Sequence, residues 1–279
     1  LVVERAQTAD AIFVNKVAID KEVMDQLPRL KYIGVLATGY NVVNIEYAKK
    51  KGIIVTNVPA YSTESVLQTV FGLIIELASG IGLHNDSVKS GEWCECPDFC
   101  YRKKNMFELS GKTLGIIGYG QIGKRVAEVA KAFGMKVVVN NRDRTGDDAD
   151  YMPVDKLLSV SDIVTLHCPL NKNNAEMINR QTLSLMKRNA VLINTARGGL
   201  INENDLADAL NNSQIAGAGL DVLSAEPAER TNPLLTAKNC IITPHIAWAT
   251  IEARSRLMDI ASGNFKAFIN GKPENVVNK

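Results

Sequence analysis

The run Lys112-Thr-Leu-Gly-Ile-Ile-Gly118-Tyr-Gly120-Gln121-Ile122-Gly123 constrains this chain more than any other segment, because a short apolar stretch passes through three glycines into a helical pattern. The first glycine permits a sharp turn, the second lets a ligand approach the backbone, and the third allows close packing of strand on helix. Leu114 to Ile117 supply a buried strand, Val126, Val129 and Ala130 continue a helical apolar stripe, and Val137-Val-Val139 forms the next strand. Such a unit aims backbone N–H groups and the positive end of a helix at an anion. The anion that fits this arrangement is a pyrophosphate, so the chain is read as a dinucleotide user.

A chain that prefers NAD usually carries an acid about 20 residues beyond the glycines, to bind the ribose 2′-hydroxyl. Here the second strand ends in Asn140, Asn141, Arg142, Asp143 and Arg144. A neutral Asn141 with guanidiniums beside it makes a bidentate contact to a 2′-phosphate available. The cofactor is therefore expected to be NAD or NADP, with NADPH favoured by Asn141 and Arg142. The competing reading leaves both arginines solvated beside Asp143, Asp147 and Asp148, with NAD bound without its usual acid.

A chain of 279 residues exceeds what one core usually fills, which predicts two lobes. Residues 1–60 alternate short helices with strands at Ala11–Val14, Tyr32–Leu36 and Ile53–Val55, and are read as the first part of a small α/β domain. Residues 61–247 are read as the dinucleotide-binding domain. Residues 248–279, with a helix over Ile251–Ile269, are expected to return to the first lobe. A long helix starts after Tyr61, where Ser62 or Thr63 can cap it and Glu64 complements its dipole. Its apolar positions, Val66, Val70, Phe71, Leu73, Ile74 and Leu77, suit either a core helix or one that also meets a second subunit. From Gly111 onward strands and helices alternate, with later strands at Asp162–Leu166, Ala190–Ile193, Ala216–Asp221 and Cys240–Ile242. That alternation predicts an α/β fold with a doubly wound parallel sheet.

The segment from Gly82 to Ser110 reads as irregular and holds Cys94, Cys96 and Cys100. No closely spaced fourth ligand completes a tetrahedral set, so no metal is expected. Net charge is only +2, which implies no field for nucleic acid or anionic lipid, and no apolar run reaches the length of a membrane span. Five cysteines, an odd number, argue against a disulfide framework and for a reducing cytoplasm. Leu1-Val-Val-Glu-Arg-Ala reads as the middle of a helix, so a natural beginning upstream of Leu1 is expected.

Ligands of open α/β sheets sit beyond the carboxyl ends of the strands. Three polar positions fall there: Arg197 after Asn194-Thr195-Ala196, Glu226 after Gly219-Leu-Asp221-Val, and His245 after Thr243-Pro. Reduction of a 2-keto acid needs a cation to clamp the carboxylate and polarise the keto oxygen, which guanidinium does through parallel hydrogen bonds. It also needs a proton donor active near neutral pH, which imidazole supplies. A carboxylate on that imidazole orients it and favours the protonated ring. Arg197, His245 and Glu226 suit those tasks. His84 lacks comparable placement, and His167 is expected to pack near the adenosine half of the cofactor.

At these residues the chain resembles the D-isomer-specific 2-hydroxyacid dehydrogenases over nearly its whole length. Gly118-x-Gly120-x-x-Gly123, Asn194-Thr-Ala-Arg197-Gly, Gly219-Leu-Asp-Val with Glu226-Pro, and Pro244-His245 match that family's signatures in order. Val35-Leu-Ala-Thr-Gly-Tyr-Asn-Val-Val43, Ser-Gly-Glu-Trp93 and Thr243-Pro-His-Ile-Ala-Trp-Ala-Thr250 are similar to its glycerate dehydrogenase, or hydroxypyruvate reductase, branch. The resemblance implies a Rossmann domain with a smaller flavodoxin-like substrate domain, and Arg197, Glu226 and His245 as catalytic residues. It implies cofactor contacts at Gly118, Gly120, Gln121, Ile122, Gly123, Asn141, Arg142, Cys168, Pro169, Thr195, Ala196, Asp221, His245 and Ala247. Ala37, Thr38 and Gly39 would hold the substrate carboxylate through backbone amides, together with Arg197 and His245. A homodimer built on the helix after Tyr61, and a small 2-keto or 2-hydroxy acid substrate, are also implied. Two departures stand out: Asn141 replaces the usual acid, and the first lobe lacks the strand and helix with which the family normally begins. The expected activity is reduction of hydroxypyruvate, and of glyoxylate, to the D-2-hydroxy acid. The rival of another class is a dinucleotide-sensing, corepressor-like binding protein, which the complete Arg, Glu and His set disfavours. A formate reaction is disfavoured because Glu226 stands where formate dehydrogenases of this superfamily carry Gln.

Overall fold

The computed structural model describes residues 1–142 and 149–279. They form two compact units, Leu1–Ser62 with Trp248–Lys279, and Thr63–Ala247.

The smaller unit is built from α1 (Val2–Ala6), β1 (Ala11–Val14), α2 (Lys21–Asp25), β2 (Tyr32–Val35), α3 (Ile45–Lys50) and β3 (Ile54–Thr56). Its strands pair in parallel in the order β1-β2-β3. Side chains cap the helices where local chemistry provides them: Asp20 accepts from the Val23 amide and Asn44 from the Tyr47 amide. The carboxyl end of β2 runs into Ala37-Thr38-Gly39. There the Thr38 hydroxyl donates to Val58 O at 2.9 Å, and Asn57 Nδ2 donates to Thr38 O at 2.8 Å.

The larger unit opens with α4 (Thr63–Ser79) and α5 (Ile81–Lys89). There follow β4 (Thr113–Ile117), α6 (Gln121–Ala132), β5 (Lys136–Asn140), β6 (Asp150–Tyr151), α7 (Val154–Val160), β7 (Ile163–Leu166) and α8 (Arg180–Leu183). It closes with β8 (Val191–Asn194), α9 (Glu203–Asn211), β9 (Gly217–Leu220) and β10 (Cys240–Ile242). The seven strands are all parallel, in the order β10-β9-β8-β7-β4-β5-β6, with β4 inside the sheet. A parallel sheet must be covered on both faces, and alternate residues face opposite cores. Leu114, Ile116, Ile163, Val191 and Ile193 pack with α4 and α6, while Ile117, Val164, Leu166, Leu192 and Leu220 pack on the other side with α7 and α9. This is the doubly wound parallel sheet expected from the alternation of elements.

The final helix, α10 (Ile251–Ile269), belongs to the smaller unit. Its Phe268 ring lies 4.8 Å from Tyr32, a fully buried tyrosine whose hydroxyl meets Thr56 Oγ1 at 2.7 Å. Ala253, Leu257 and Ala261 form a core with Val58 and Tyr61, and Asn264 Nδ2 donates to Asn57 O at 2.8 Å.

One expectation is corrected. The stretch after Gly82 is not wholly irregular, because α5 occupies Ile81–Lys89. Gly80, with φ at +60°, turns the chain out of α4, and the Glu76 carboxylate accepts from the Gly82 amide. His84 then uses both ring nitrogens structurally, Nδ1 toward Gly80 O at 2.6 Å and Nε2 accepting from the Lys103 amide at 3.1 Å. The apolar positions of α4 are buried within the larger unit itself. Among the described residues no single helix is long and apolar enough to cross a membrane, and no group of His, Cys, Asp or Glu is arranged to hold a metal ion.

Candidate active site

The glycine turn between β4 and α6 is shaped by what each position excludes. Gly118 has φ at +99°, and a Cβ there would lie 2.5 Å from the Cys168 amide nitrogen. At Gly123 a Cβ would lie 2.2 Å from Gly118 O, so only glycine lets α6 pack this close to the turn. Gly120 is different. It is the N-cap of α6 with no side-chain cap, and a Cβ there would meet nothing within 4 Å. The helix therefore starts with uncapped amides facing open space, as an anion site requires.

Asn141 directly follows β5, and its side-chain oxygen accepts from the Tyr119 amide of the glycine turn at 3.3 Å. Gly118 N donates to Asn140 O at 2.8 Å, so the end of β5 braces the turn twice. Arg142 beside it is exposed. Arg144, the second guanidinium considered above, lies outside the described residues.

On the next strands, His167 and Thr195 follow β7 and β8, whose register pairs Leu166 with Asn194. Both carry buried polar atoms without a hydrogen-bond partner, His167 Nε2 and Thr195 Oγ1. Buried polar atoms left unmatched at ligand-facing strand ends fit a polar ligand that completes them. Although His167 as a residue is half-buried, its ring is desolvated, and burial drives its pKa down to about 4. Cys168 is half-buried, burial pushing its thiol up, with Asn174 Nδ2 at 3.8 Å from its sulfur; Pro169 is exposed.

Arg197 is presented by a loop that a buried side chain organises. Asn194, fully buried, accepts from the Ala196 amide at 3.0 Å and donates to Arg197 O at 2.9 Å. Gly198 then fits against the chain after β9, where a Cβ would lie 1.9 Å from the Leu223 carbonyl carbon. The Arg197 guanidinium is exposed, bonds Ala196 O at 2.6 Å, and has no ion pair among the described residues. Its remaining N–H groups are available to a carboxylate.

His245 and Glu226 meet directly, Nδ1 to Oε2 at 2.6 Å, with about 30 % of each side chain exposed. The Glu226 carboxylate also accepts from the Leu223 amide at 3.3 Å. His245 adopts φ at +53°, a left-handed conformation costly for a side chain with a Cβ. Asp221, at the end of β9 and 1 % exposed, holds that conformation in place. Its carboxylate accepts from Thr243 Oγ1 at 2.6 Å, the Ile246 amide at 2.9 Å and the Ala247 amide at 2.9 Å, while its backbone oxygen accepts from the His245 amide at 2.8 Å. Ser65 Oγ of α4 donates to Ala247 O at 2.5 Å. The imidazole thus projects from a turn fastened on both sides.

The glycine turn, Asn141, Arg197, Asp221, Glu226, His245 and Ala247 all belong to the larger unit, at the carboxyl ends of its strands. Ala37, Thr38 and Gly39 belong to the smaller unit, and their amides make no backbone hydrogen bond among the described residues. Asn194, Thr243 and Ser65, which brace the site, were not singled out as site residues in the sequence. Their partners lie far along the chain or on the backbone, where no residue pattern marks them.

A parallel nucleotide-binding sheet with an Arg, a His–Glu pair and a glycine turn at its strand ends defines a pyridine-nucleotide oxidoreductase. Residues 71–247 match the NAD binding domain of D-isomer specific 2-hydroxyacid dehydrogenases, and the chain belongs to that family. It is 46 % identical over 282 residues to a hydroxypyruvate reductase of Blautia hydrogenotrophica, covering 100 % of this chain and 88 % of the relative. A D-lactate dehydrogenase from Aquifex aeolicus, solved with NAD and lactic acid, superposes with a TM-score of 0.86 at 34 % identity, covering 99 % of this chain and 89 % of that one. An acyclic imino acid reductase solved with NADPH and D-Arg superposes with a TM-score of 0.90 at 35 % identity, covering 99 % and 87 %.

Proposed function

We propose that this chain reduces hydroxypyruvate to D-glycerate, and glyoxylate to glycolate, with a reduced nicotinamide dinucleotide. The observation that carries the reading is the 2.6 Å contact between His245 Nδ1 and Glu226, made on a turn that Asp221 fixes. With Nδ1 engaged by the carboxylate, Nε2 is the position from which the ring delivers its proton. Glu226 offsets the positive charge of the protonated ring, and Arg197 clamps the substrate carboxylate and polarises the keto oxygen. The amides of Ala37, Thr38 and Gly39 are further donors for that carboxylate. When bound, the dinucleotide supplies the hydride. The glycine turn and the first turn of α6 would hold its pyrophosphate, with Thr195, Ala196, Asp221 and Ala247 toward the nicotinamide and Cys168 and Pro169 along its length.

NADPH is the favoured donor. Asn141 brings no negative charge toward a 2′-phosphate and Arg142 lies next to it. The apolar positions of α4, the helix expected to carry a homodimer contact, are buried within the larger unit, so the contact surface proposed instead is α5 and the segment after it, where Ile81, Leu83, Val88, Trp93 and Phe99 are exposed. The five free cysteines suit a cytoplasmic location.

Steady-state kinetics with NADH and NADPH against hydroxypyruvate, glyoxylate and pyruvate test the reading. His245→Ala is expected to lose turnover by several orders of magnitude while reduced-cofactor binding, followed by fluorescence, is kept. Wild-type turnover in that variant, or no oxidation of either cofactor by any of the three acids, would overturn it.

A further inference from the structure

The strands that carry the catalytic groups at their carboxyl ends border a second concavity at their amino ends. It encloses about 460 Å³ within the larger unit. Its walls follow from the sheet order. Lys112 precedes β4, Asp162 precedes β7, Val191 opens β8, and Ala216 and Asn239 precede β9 and β10. The segment Lys104–Phe107 closes one side, tied down where Phe107 N donates to Ala78 O and Lys104 Nζ donates to Leu77 O at 2.6 Å.

Lys104, Lys112 and Arg188 line the cavity against one carboxylate, Asp162. That carboxylate is already matched. It accepts from Lys187 Nζ at 2.9 Å and from the Thr113 amide at 2.9 Å. Burial works to raise its pKa, but the Thr113 amide, Lys187 and the nearby Lys112 charge hold it below the ordinary value. Lys104 is partly compensated by its carbonyl partner and by Glu76, while burial lowers its pKa. Lys112 and Arg188 line the cavity and make no ion pair within 4 Å among the described residues, although the Lys112 charge lies near enough to Asp162 to help lower its pKa. The side-chain amides of Asn105 and Asn189 form no hydrogen bond there either, and Met106 and Phe107 add an apolar wall.

We propose that this cavity binds a small phosphate monoester. A phosphate dianion matches these two cations, and its oxygens accept from guanidinium, ammonium and amide donors together. A carboxylate monoanion would leave one cation unmatched. The apolar wall suits a short carbon skeleton. The site is separate from the dinucleotide site, which lies at the opposite ends of the same strands.

The test is titration calorimetry with glycerol 2-phosphate, which carries neither a carboxylate nor a keto group to compete for the keto-acid site. The enzyme is held saturated with reduced cofactor so that the glycine turn is filled. One saturable site is expected. The double variant Lys112→Gln with Arg188→Gln should weaken it at least tenfold, with kcat in phosphate-free buffer unchanged. Lys112→Arg with Arg188→Lys, which keeps both charges, should retain it. Inorganic phosphate, lacking the carbon skeleton, should bind more weakly than the ester. Absence of saturable binding to the wild type, equal affinity in the double Gln variant, or binding seen only when the cofactor is removed would each overturn the proposal.

Discussion

His167 makes the chain acid-labile in a window that its burial sets. The folded ring titrates at about 4 instead of the ordinary 6.5 because burial disfavours its charged form. In the unfolded chain the ring takes up its proton as pH falls through about 6.5, whereas in the folded chain it stays neutral until about 4. The unfolded state therefore binds more protons across that interval, and stability is lost as pH falls through it. Above about 6.5 the contribution is fully present, and below about 4 both states are protonated and nothing further is lost. At about 1.4 kcal/mol for each tenfold change in proton affinity, the whole effect is about 3 kcal/mol. The perturbation is His167→Gln, which removes the titration and keeps a polar group beside Thr195. Urea unfolding of wild type and variant at pH 7 and pH 4, without cofactor, reports the difference, in which the carboxylates common to both cancel. The wild type should lose about 3 kcal/mol more than the variant. With only three histidines in the chain, ring proton spectra give a second reading of the same quantity. Equal pH dependence of the two proteins, or a His167 ring that titrates near 6.5, would refute the reasoning.

Asp221→Asn replaces one carboxylate oxygen by an amide that opposes a backbone or hydroxyl donor, so a cost of about 2–3 kcal/mol is expected, together with a fall in kcat larger than any change in cofactor affinity; thermal unfolding and kinetics check both. Gly198→Ala pushes a methyl into the Leu223 carbonyl, 1.9 Å from the ideal Cβ, and should destabilise by about 1–3 kcal/mol while displacing Arg197, read as a raised KM for the keto acid. The thiol of Cys240, pushed up to about 12 by burial, should resist iodoacetamide at pH 8, where the exposed Cys94 and Cys100 are alkylated; mass spectrometry of the labelled peptides decides.

Elements marked by a compact apolar run or by a local side-chain cap were legible in the sequence. The helix expected over Ile251–Ile269 is α10 with those bounds, and Thr250 caps it by accepting from the Ala253 amide at 3.3 Å. The strand at Ala11–Val14 is likewise β1. Helix α5 was not legible, because Gly80 offers it no side-chain cap and a supporting acceptor, Glu76, lies six residues before Gly82. At the site, polar residues within a few positions of apolar runs marked Arg197, Glu226 and His245 as strand-end groups. What holds them did not show. Asp221 reaches Thr243 and Ala247 across 22 and 26 residues, and Asn141 reaches Tyr119 across 22, distances over which no spacing rule operates. The buried ring of His167 was also invisible, since enclosure is a property of the packed sheet and not of Leu166-His-Cys-Pro169.

Ala247 is the last residue of the larger unit, and it is gripped twice, through its amide by Asp221 and through its carbonyl by Ser65. The polypeptide thus leaves that unit through a strain relief, much as a cable is clamped before its connector. Tension or torsion along the downstream chain would meet these two bonds at Ala247 before it reached His245, two positions earlier.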